Sequence, residues 1–113
     1  MAKFLALIAI LTSTLWPLLG SAQPVAPQVI LENQSVRVVS VTYPPGSGTG
    51  RHQGIEAEVG IVVDGELTME SPQGRMSLRP GSAYFLPGLT PHDTRNESAR
   101  PARTFEIFLK RCD

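Results

Sequence analysis

Three residues of this sequence have side chains that could act together on a metal ion or a small polar molecule. They are His52, Glu58 and His92, and the two histidines are the only ones in the chain. Each histidine lies beside a turn rich in glycine and proline. Two imidazoles and one carboxylate suit a divalent first-row metal and leave coordination positions open for water or a substrate oxygen. This chemistry requires a fold that brings the three side chains together.

Short strands separated by turns are the elements that would position these residues. From Val29 onward, β-branched and other apolar residues alternate with polar ones, and Pro/Gly turns such as 44–50 and 71–74 recur at short spacing. The Asp64-Gly65 pair is typical of a two-residue hairpin turn. Beyond residue 22, the sequence has no sustained helical period with caps. We therefore predict an all-β sandwich or barrel of about eight strands.

The first 22 residues have the three-part layout of a secretory signal peptide. A basic residue at position 3 precedes an apolar run, and small residues occupy positions 20–22. We predict cleavage after Ala22 and a mature protein that is periplasmic or secreted. An uncleaved membrane anchor is the alternative, but polar residues at 12–14 and a proline at 17 interrupt the run, whereas a span needs about 20 apolar residues. We expect no stable membrane span after cleavage.

Composition limits the classes of partner. Ten basic and ten acidic residues give a formal net charge of zero, so nucleic acid is not expected as a partner. Cys112 is the only cysteine, so no intramolecular disulfide can form, and the role of this thiol stays open.

A mature domain of roughly 90 residues is small for a barrel without disulfides. Residues 59–63 are apolar on both faces of a predicted strand. Both features favour a homodimer that covers the outer face.

Two spaced motifs resemble those of the cupins, proteins built on a jelly-roll barrel. Seven residues fall at the family's motif positions: His52, Glu58, Gly65, Gly81, Pro87, His92 and Asn96. Leu89 stands where the second motif has a glycine, and Gly88 precedes it. The resemblance covers roughly residues 36–109 and implies a cupin-type jelly roll. The chain then divides into a signal peptide at 1–22, an extended leader with the first strand at 23–34, and the barrel domain at 35–110.

The resemblance also implies a ligand set for a divalent transition metal, with iron, manganese, nickel, zinc and copper as candidates. His52, Glu58 and His92 carry over as metal ligands, but Gly54 occupies the position of the family's second histidine. The strand parity that Glu56 shares with Glu58 makes it a candidate substitute. Four residues are candidates for a further ligand or for the cavity lining: Glu56, Gln53, Tyr84 and Asn96. Phe85 is likewise expected in the core or the cavity wall.

Three functions remain open at this point. The first is an exported cupin-domain protein that binds a divalent metal, a small polar ligand or both in its barrel. The small size and the lack of any obvious acid, base or lid beyond the motif residues favour it. The second is a metal-dependent enzyme of dioxygenase or isomerase type on a small oxygenated substrate. The third is a metal-free structural dimer in which the histidines only make hydrogen bonds.

Overall fold

The computed structural model describes residues 23–111, and its secondary structure consists of β-strands. The strands are β1 (Ala26–Glu32), β2 (Val36–Tyr43), β3 (Ala57–Asp64), β4 (Leu67–Ser71), β5 (Gly74–Leu78), β6 (Ala83–Leu86), β7 (Asp93–Arg95) and β8 (Ala102–Leu109). The all-β prediction of about eight strands is confirmed. The predicted signal peptide and Cys112 lie outside the described residues. Within 23–111, no helix has the length and apolar character needed to cross a membrane.

Two antiparallel sheets enclose the core. One has five strands in the order β1-β2-β8-β3-β6, and the other has three in the order β5-β4-β7. The buried apolar core comprises Val39, Val41, Tyr43, Val62, Leu67, Met69, Leu78, Tyr84, Leu86 and Ala102. These residues come from both sheets, so each sheet buries one face against the other, as a jelly roll requires.

The turn at Asp64 and Gly65 is not a hairpin, so that prediction was wrong. β3 pairs with β6 and β8, whereas β4 pairs with β5 and β7, so the chain passes from one sheet to the other here. Gly65 has a φ of +74°, and a Cβ at this position would lie 2.5 Å from the carbonyl oxygen of Pro101. Position 65 is therefore a glycine because a side chain would collide with the start of β8, and not because the chain forms a hairpin turn there.

Residues 46–52 extend the three-stranded sheet beyond β7. The amide of Thr49 donates to the carbonyl of Thr94 at 2.9 Å. Further along, His52 and His92 exchange both backbone hydrogen bonds, each of 2.9 Å. The loop after β2 is thus tied to the segment that enters β7, and this ladder sets the two histidines directly opposite each other.

Two rows of inward-facing residues cross the five-stranded sheet. The deeper row consists of Val39, Glu106, Gly60 and Tyr84. The row nearer the barrel mouth, the end where β3 begins and β8 ends, consists of Arg37, Phe108, Glu58 and Leu86. Because directly opposed residues on one face are close neighbours, the register places several polar side chains in the barrel.

The opposite face of the same sheet carries an apolar row, which we call the outer row. It consists of Leu31, Val38, Ile107, Val59 and Phe85, one residue from each strand. Phe85 is 53% exposed, so its expected place in the core or cavity wall was wrong. Its neighbour Tyr84 points inward instead, because successive strand residues face opposite sides of the sheet.

Candidate functional site

The two histidine rings lie against each other at the barrel mouth. Their centroids are 4.2 Å apart with a tilt of 55°. Nδ1 of His52 lies 2.9 Å from the carbonyl oxygen of Gly50, and Nδ1 of His92 lies 2.9 Å from that of Thr90. Because a carbonyl oxygen only accepts, each Nδ1 carries the proton, and the neutral ring has a lone pair on Nε2. In its neutral form, each ring is therefore in the tautomer that can bind a metal through Nε2.

Glu58 lies beside the buried histidine. Its Oε1 is 3.8 Å from Nε2 of His92, and its Oε2 accepts a hydrogen bond of 2.7 Å from the hydroxyl of Tyr84. Tyr84 reaches this carboxylate by crossing over Gly60, where a Cβ would lie 2.1 Å from the tyrosine ring. The glycine in β3 thus makes room for the tyrosine that orients Glu58.

A second inward-facing carboxylate, that of Glu106 in β8, is partly buried and belongs to the same cluster. Its Oε2 accepts hydrogen bonds of 3.1 Å from the hydroxyls of Tyr43 and Thr104. Burial raises the pKa of Glu106 to about 7, and the negative charge of Glu58 adds to the rise. Near neutral pH, Glu106 can therefore hold or release a proton inside the barrel.

The two tyrosines remain proton donors to these carboxylates. Burial raises the pKa of Tyr43 and of Tyr84 far above the ordinary value, and the negative charge of Glu106 adds to both shifts. A tyrosine that keeps its proton can only donate to an ionised carboxylate, so each tyrosine is the donor whenever its glutamate is charged.

The two sequence motifs do not include Glu106, Tyr43 or Arg37, so the sequence assigned no role to these residues. The signal for Glu106 was its position as the only polar residue in the otherwise apolar stretch 105–109. A carboxylate in such a strand is a candidate site residue because buried charge is costly unless it is paired. The sequence alone does not determine which face of this strand is buried.

The other candidates from the sequence have different surroundings. Tyr84 lines the site, as described. Glu56, the candidate substitute ligand, forms an ion pair of 2.8 Å with Arg37. Asn96 is buried, and its amide donates to the carbonyl oxygens of Tyr43 and Arg100, so it ties the loop after β7. Gln53 is exposed on the loop.

The donor set suits a divalent metal in its chemistry. Two donor atoms bound to one ion at about 2.1 Å lie roughly 3 to 4 Å apart, and His92 and Glu58 meet this condition at 3.8 Å. His52 is exposed, and within residues 23–111 no three His, Cys, Asp or Glu side chains already have the arrangement of a metal site.

The comparison with known families is decisive for the fold. A model described as "Cupin domain" matches residues 39–108, more than half of the chain. The chain belongs to the cupin family. Members of this family bind metals or other ligands, and the predicted jelly roll is confirmed.

Solved cupin structures resemble this chain over most of its length. A cupin domain from Bordetella pertussis Tohama I is 29% identical with a TM-score of 0.69, covering 80% of this chain and 98% of that one. TT1209 from Thermus thermophilus is 26% identical with a TM-score of 0.72, covering 79% and 86%. KdgF from Halomonas sp. is 20% identical with a TM-score of 0.68, covering 77% and 80%, and this likeness shows the fold alone. No curated protein matches the chain.

Position 54 is where this cupin departs from the family's full histidine set. Gly54 is exposed, and a Cβ there would have no atom within 4 Å. Its φ lies outside the left-handed region, so the backbone accepts a side chain. A histidine at this position would therefore meet neither steric nor backbone strain.

Proposed function

We propose that this cupin binds a divalent first-row transition metal at the mouth of its barrel and holds a small polar ligand beside it. His52 and His92 would bind through Nε2 and Glu58 through a carboxylate oxygen. The observation that carries the proposal is that the rings of His52 and His92 lie 4.2 Å apart and that Oε1 of Glu58 lies 3.8 Å from Nε2 of His92, although the three residues are far apart in the sequence. When bound, the metal would polarise an oxygen atom of the ligand.

The chain's own residues keep the donors ready for binding. The carbonyl oxygens of Gly50 and Thr90 fix the tautomer of the two imidazoles. The hydroxyl of Tyr84 occupies Oε2 of Glu58 and leaves Oε1 facing His92. Such partners of metal ligands commonly contribute a factor of about 10 to 100 to affinity.

Metal titration of chelator-treated protein tests this proposal. Zn²⁺ should bind in a ratio near one ion per chain, measured by calorimetry and by elemental analysis. Gly54→His should bind Zn²⁺ more tightly than wild type, because a further imidazole enters from a position with open space. Gln53→His, one residue away on the same loop, is the matched control and should have no such effect. Absence of bound metal in wild type after supplementation would favour the metal-free structural module.

Glu106 supports a second candidate, a metal-dependent enzyme of dioxygenase or isomerase type. Both hydroxyl groups that contact Glu106 donate to Oε2, and Oε1 receives no hydrogen bond within residues 23–111. With a pKa of about 7, this carboxyl group could take or give a proton to a ligand in the barrel. Consumption of oxygen or isomerisation of a small keto or hydroxy compound, lost in Glu106→Gln, would favour this candidate.

We also propose that the protein is exported and works as a homodimer. The layout of residues 1–22 supports export. The outer row supports the dimer, since its end residues Leu31 and Phe85 are each 53% exposed and the row crosses all five strands. A second copy of this chain suits the surface because loss of Lys3 with residues 1–22 leaves nine basic and ten acidic residues, and a net charge of −1 creates little overall repulsion between copies.

A further inference from the structure

Arg37 brings a positive charge onto the inner face of the barrel. It lies on β2 in the row that continues through Phe108 to Glu58. Its guanidinium carbon lies 4.7 Å from the ring centroid of Phe108, so the cation stacks on the aromatic face. None of the proposed metal ligands uses this arginine, and neither motif of the sequence includes it.

Two cavities meet at this arginine. One has a volume of about 360 Å³ and extends along β1 and β2 to Glu106. The other, of about 410 Å³, is bordered by Gly54 and Glu56. Arg37 and Phe108 line both cavities. The first cavity has mostly apolar walls with few polar groups, which is the usual character of a small-molecule site.

The guanidinium group is only partly occupied by its partner. Nη2 of Arg37 donates to Oε1 of Glu56 at 2.8 Å, and within residues 23–111 its other N–H groups make no hydrogen bond. The side chains of Arg37 and Glu56 are 31% and 26% exposed, so the pair is open to a ligand. Arginine presents a planar fork that matches a carboxylate with two parallel hydrogen bonds, and a single bond to Glu56 does not use this capacity.

We propose that the barrel binds a small carboxylate, with the carboxylate group on Arg37 and the apolar body of the ligand against Phe108. The far end of the ligand would face Glu106 and the histidine site. Glu56 holds the guanidinium when no ligand is bound and competes with the ligand for it. Only the end of the ligand away from Arg37 depends on the proposed metal site. The contact between the ligand carboxylate and Arg37 needs no metal.

The length of the ligand follows from the sheet. Arg37 and Glu58 are separated by one strand, β8, so their Cα atoms lie about 10 Å apart at the usual strand spacing. Both side chains point into the barrel and shorten this gap. A molecule with a carboxylate at one end and an oxygen three or four bonds away therefore fits, and 4-oxopentanoate has this layout. Its amide, 4-oxopentanamide, has nearly the same shape without the charge.

Binding of these two probes to four proteins tests the proposal. Dissociation constants and ¹⁵N shifts of the arginine side chains would be measured by NMR titration, with Zn²⁺ and after chelation. Wild type should bind 4-oxopentanoate and prefer it to the amide. Arg37→Gln should bind the acid roughly tenfold to a hundredfold more weakly. Glu56→Gln should bind it several-fold more tightly, because the competing carboxylate is gone.

Arg103→Gln is the matched control. Arg103 also stacks on a phenylalanine of β8, at 5.7 Å from the centroid of Phe105, but belongs to the opposite face of the sheet. This variant should bind the acid as wild type does. Arg37→Gln should bind Zn²⁺ with the affinity of wild type. If wild type binds Zn²⁺, this result also shows that the variant is folded.

The outcomes separate this inference from the proposed function. Arginine-dependent binding of the acid in a protein that takes up no Zn²⁺ would overturn the metal site and support the carboxylate site. Zn²⁺ binding with equal affinity for acid and amide would overturn the carboxylate site alone. Equal loss of acid binding in Arg37→Gln and Arg103→Gln would also overturn it, since the effect would then be one of net charge.

Discussion

The inner and outer faces of the five-stranded sheet are built by alternate residues of the same strands, yet they have opposite chemical character. Glu58, Tyr84 and Glu106 face inward, where burial sets their hydrogen bonds and pKa values. The outer row at 31, 38, 59, 85 and 107 contains only apolar residues, and its ends are half exposed. In a small domain, buried polar side chains reduce the apolar area that can stabilise the inside. We infer that the inner face serves binding and that the outer face compensates through association.

His92→Gln should have the largest effect on the inner face. Glutamine cannot present an imidazole nitrogen, so Zn²⁺ affinity should fall by more than about 100-fold, a larger loss than for partners of ligands. Competition with a chromophoric chelator measures this change. His52→Gln should cost less, because the His52 ring is exposed to solvent whereas His92 is buried. Unchanged affinity in His92→Gln would remove the basis for assigning the inner face to metal binding.

Glu106 should make the metal-free protein less stable as pH rises. Its pKa is about 7 in the folded protein against an ordinary 4.5, so the folded state holds the proton more tightly than the unfolded state. The stabilisation is complete below about pH 4.5 and is lost as pH rises through about 7. The difference of about 2.5 pKa units corresponds to a loss of at most about 3.5 kcal/mol, at about 1.4 kcal/mol per unit.

Urea unfolding between pH 5 and pH 8 measures this dependence. Glu106→Gln should lack it, since the amide does not titrate, while its oxygen can still accept from Tyr43. If the free energy of unfolding changed with pH in the same way for wild type and Glu106→Gln, Glu106 would not hold a proton in the folded protein.

Gly60→Ala should destabilise the protein by about 1 to 3 kcal/mol, because its methyl group collides with the Tyr84 ring and either the ring or the strand must move. Gly54→Ala is the control, since its Cβ meets open space. Thermal unfolding of both variants measures the difference. Equal stability of the two would show that Tyr84 does not depend on the glycine to reach Glu58.

Phe85→Asp tests the outer face. A half-exposed phenylalanine that becomes buried between two copies contributes about 1 kcal/mol on each side. Its replacement should weaken the dimer roughly tenfold or more, as measured by analytical ultracentrifugation. Phe105 of the same face keeps the rest of the surface apolar, so the loss should be partial. A wild type that is monomeric at high concentration would refute the proposed association.

The sequence predicted those parts of the site that depend on chain order and motif spacing. His52, Glu58 and His92 were predicted as metal ligands from their match to the cupin motifs, and their role as ligands stays a prediction. Glu106 and Arg37 were not assigned, because their positions depend on which parity of β8 and β2 faces inward. Both parities of β8 mix apolar and polar residues, so alternation alone could not decide.

The same limit explains the errors at Phe85 and at Asp64-Gly65. Tyr84 and Phe85 are adjacent aromatic residues, and only the pairing of β6 with β3 determines which one enters the barrel. The Asp-Gly pair is a local hairpin signal, but the partners of β3 and β4 lie far along the chain. Contacts between distant strands therefore overrode a local preference.

X-ray absorption spectroscopy of the Zn²⁺-loaded protein would show directly whether the histidines and Glu58 hold the metal. We expect two imidazole nitrogens and a carboxylate oxygen at about 2.0 to 2.2 Å from the metal, with one imidazole lost in His92→Gln. A first coordination shell without imidazole scattering, or a protein that retains no metal, would contradict it.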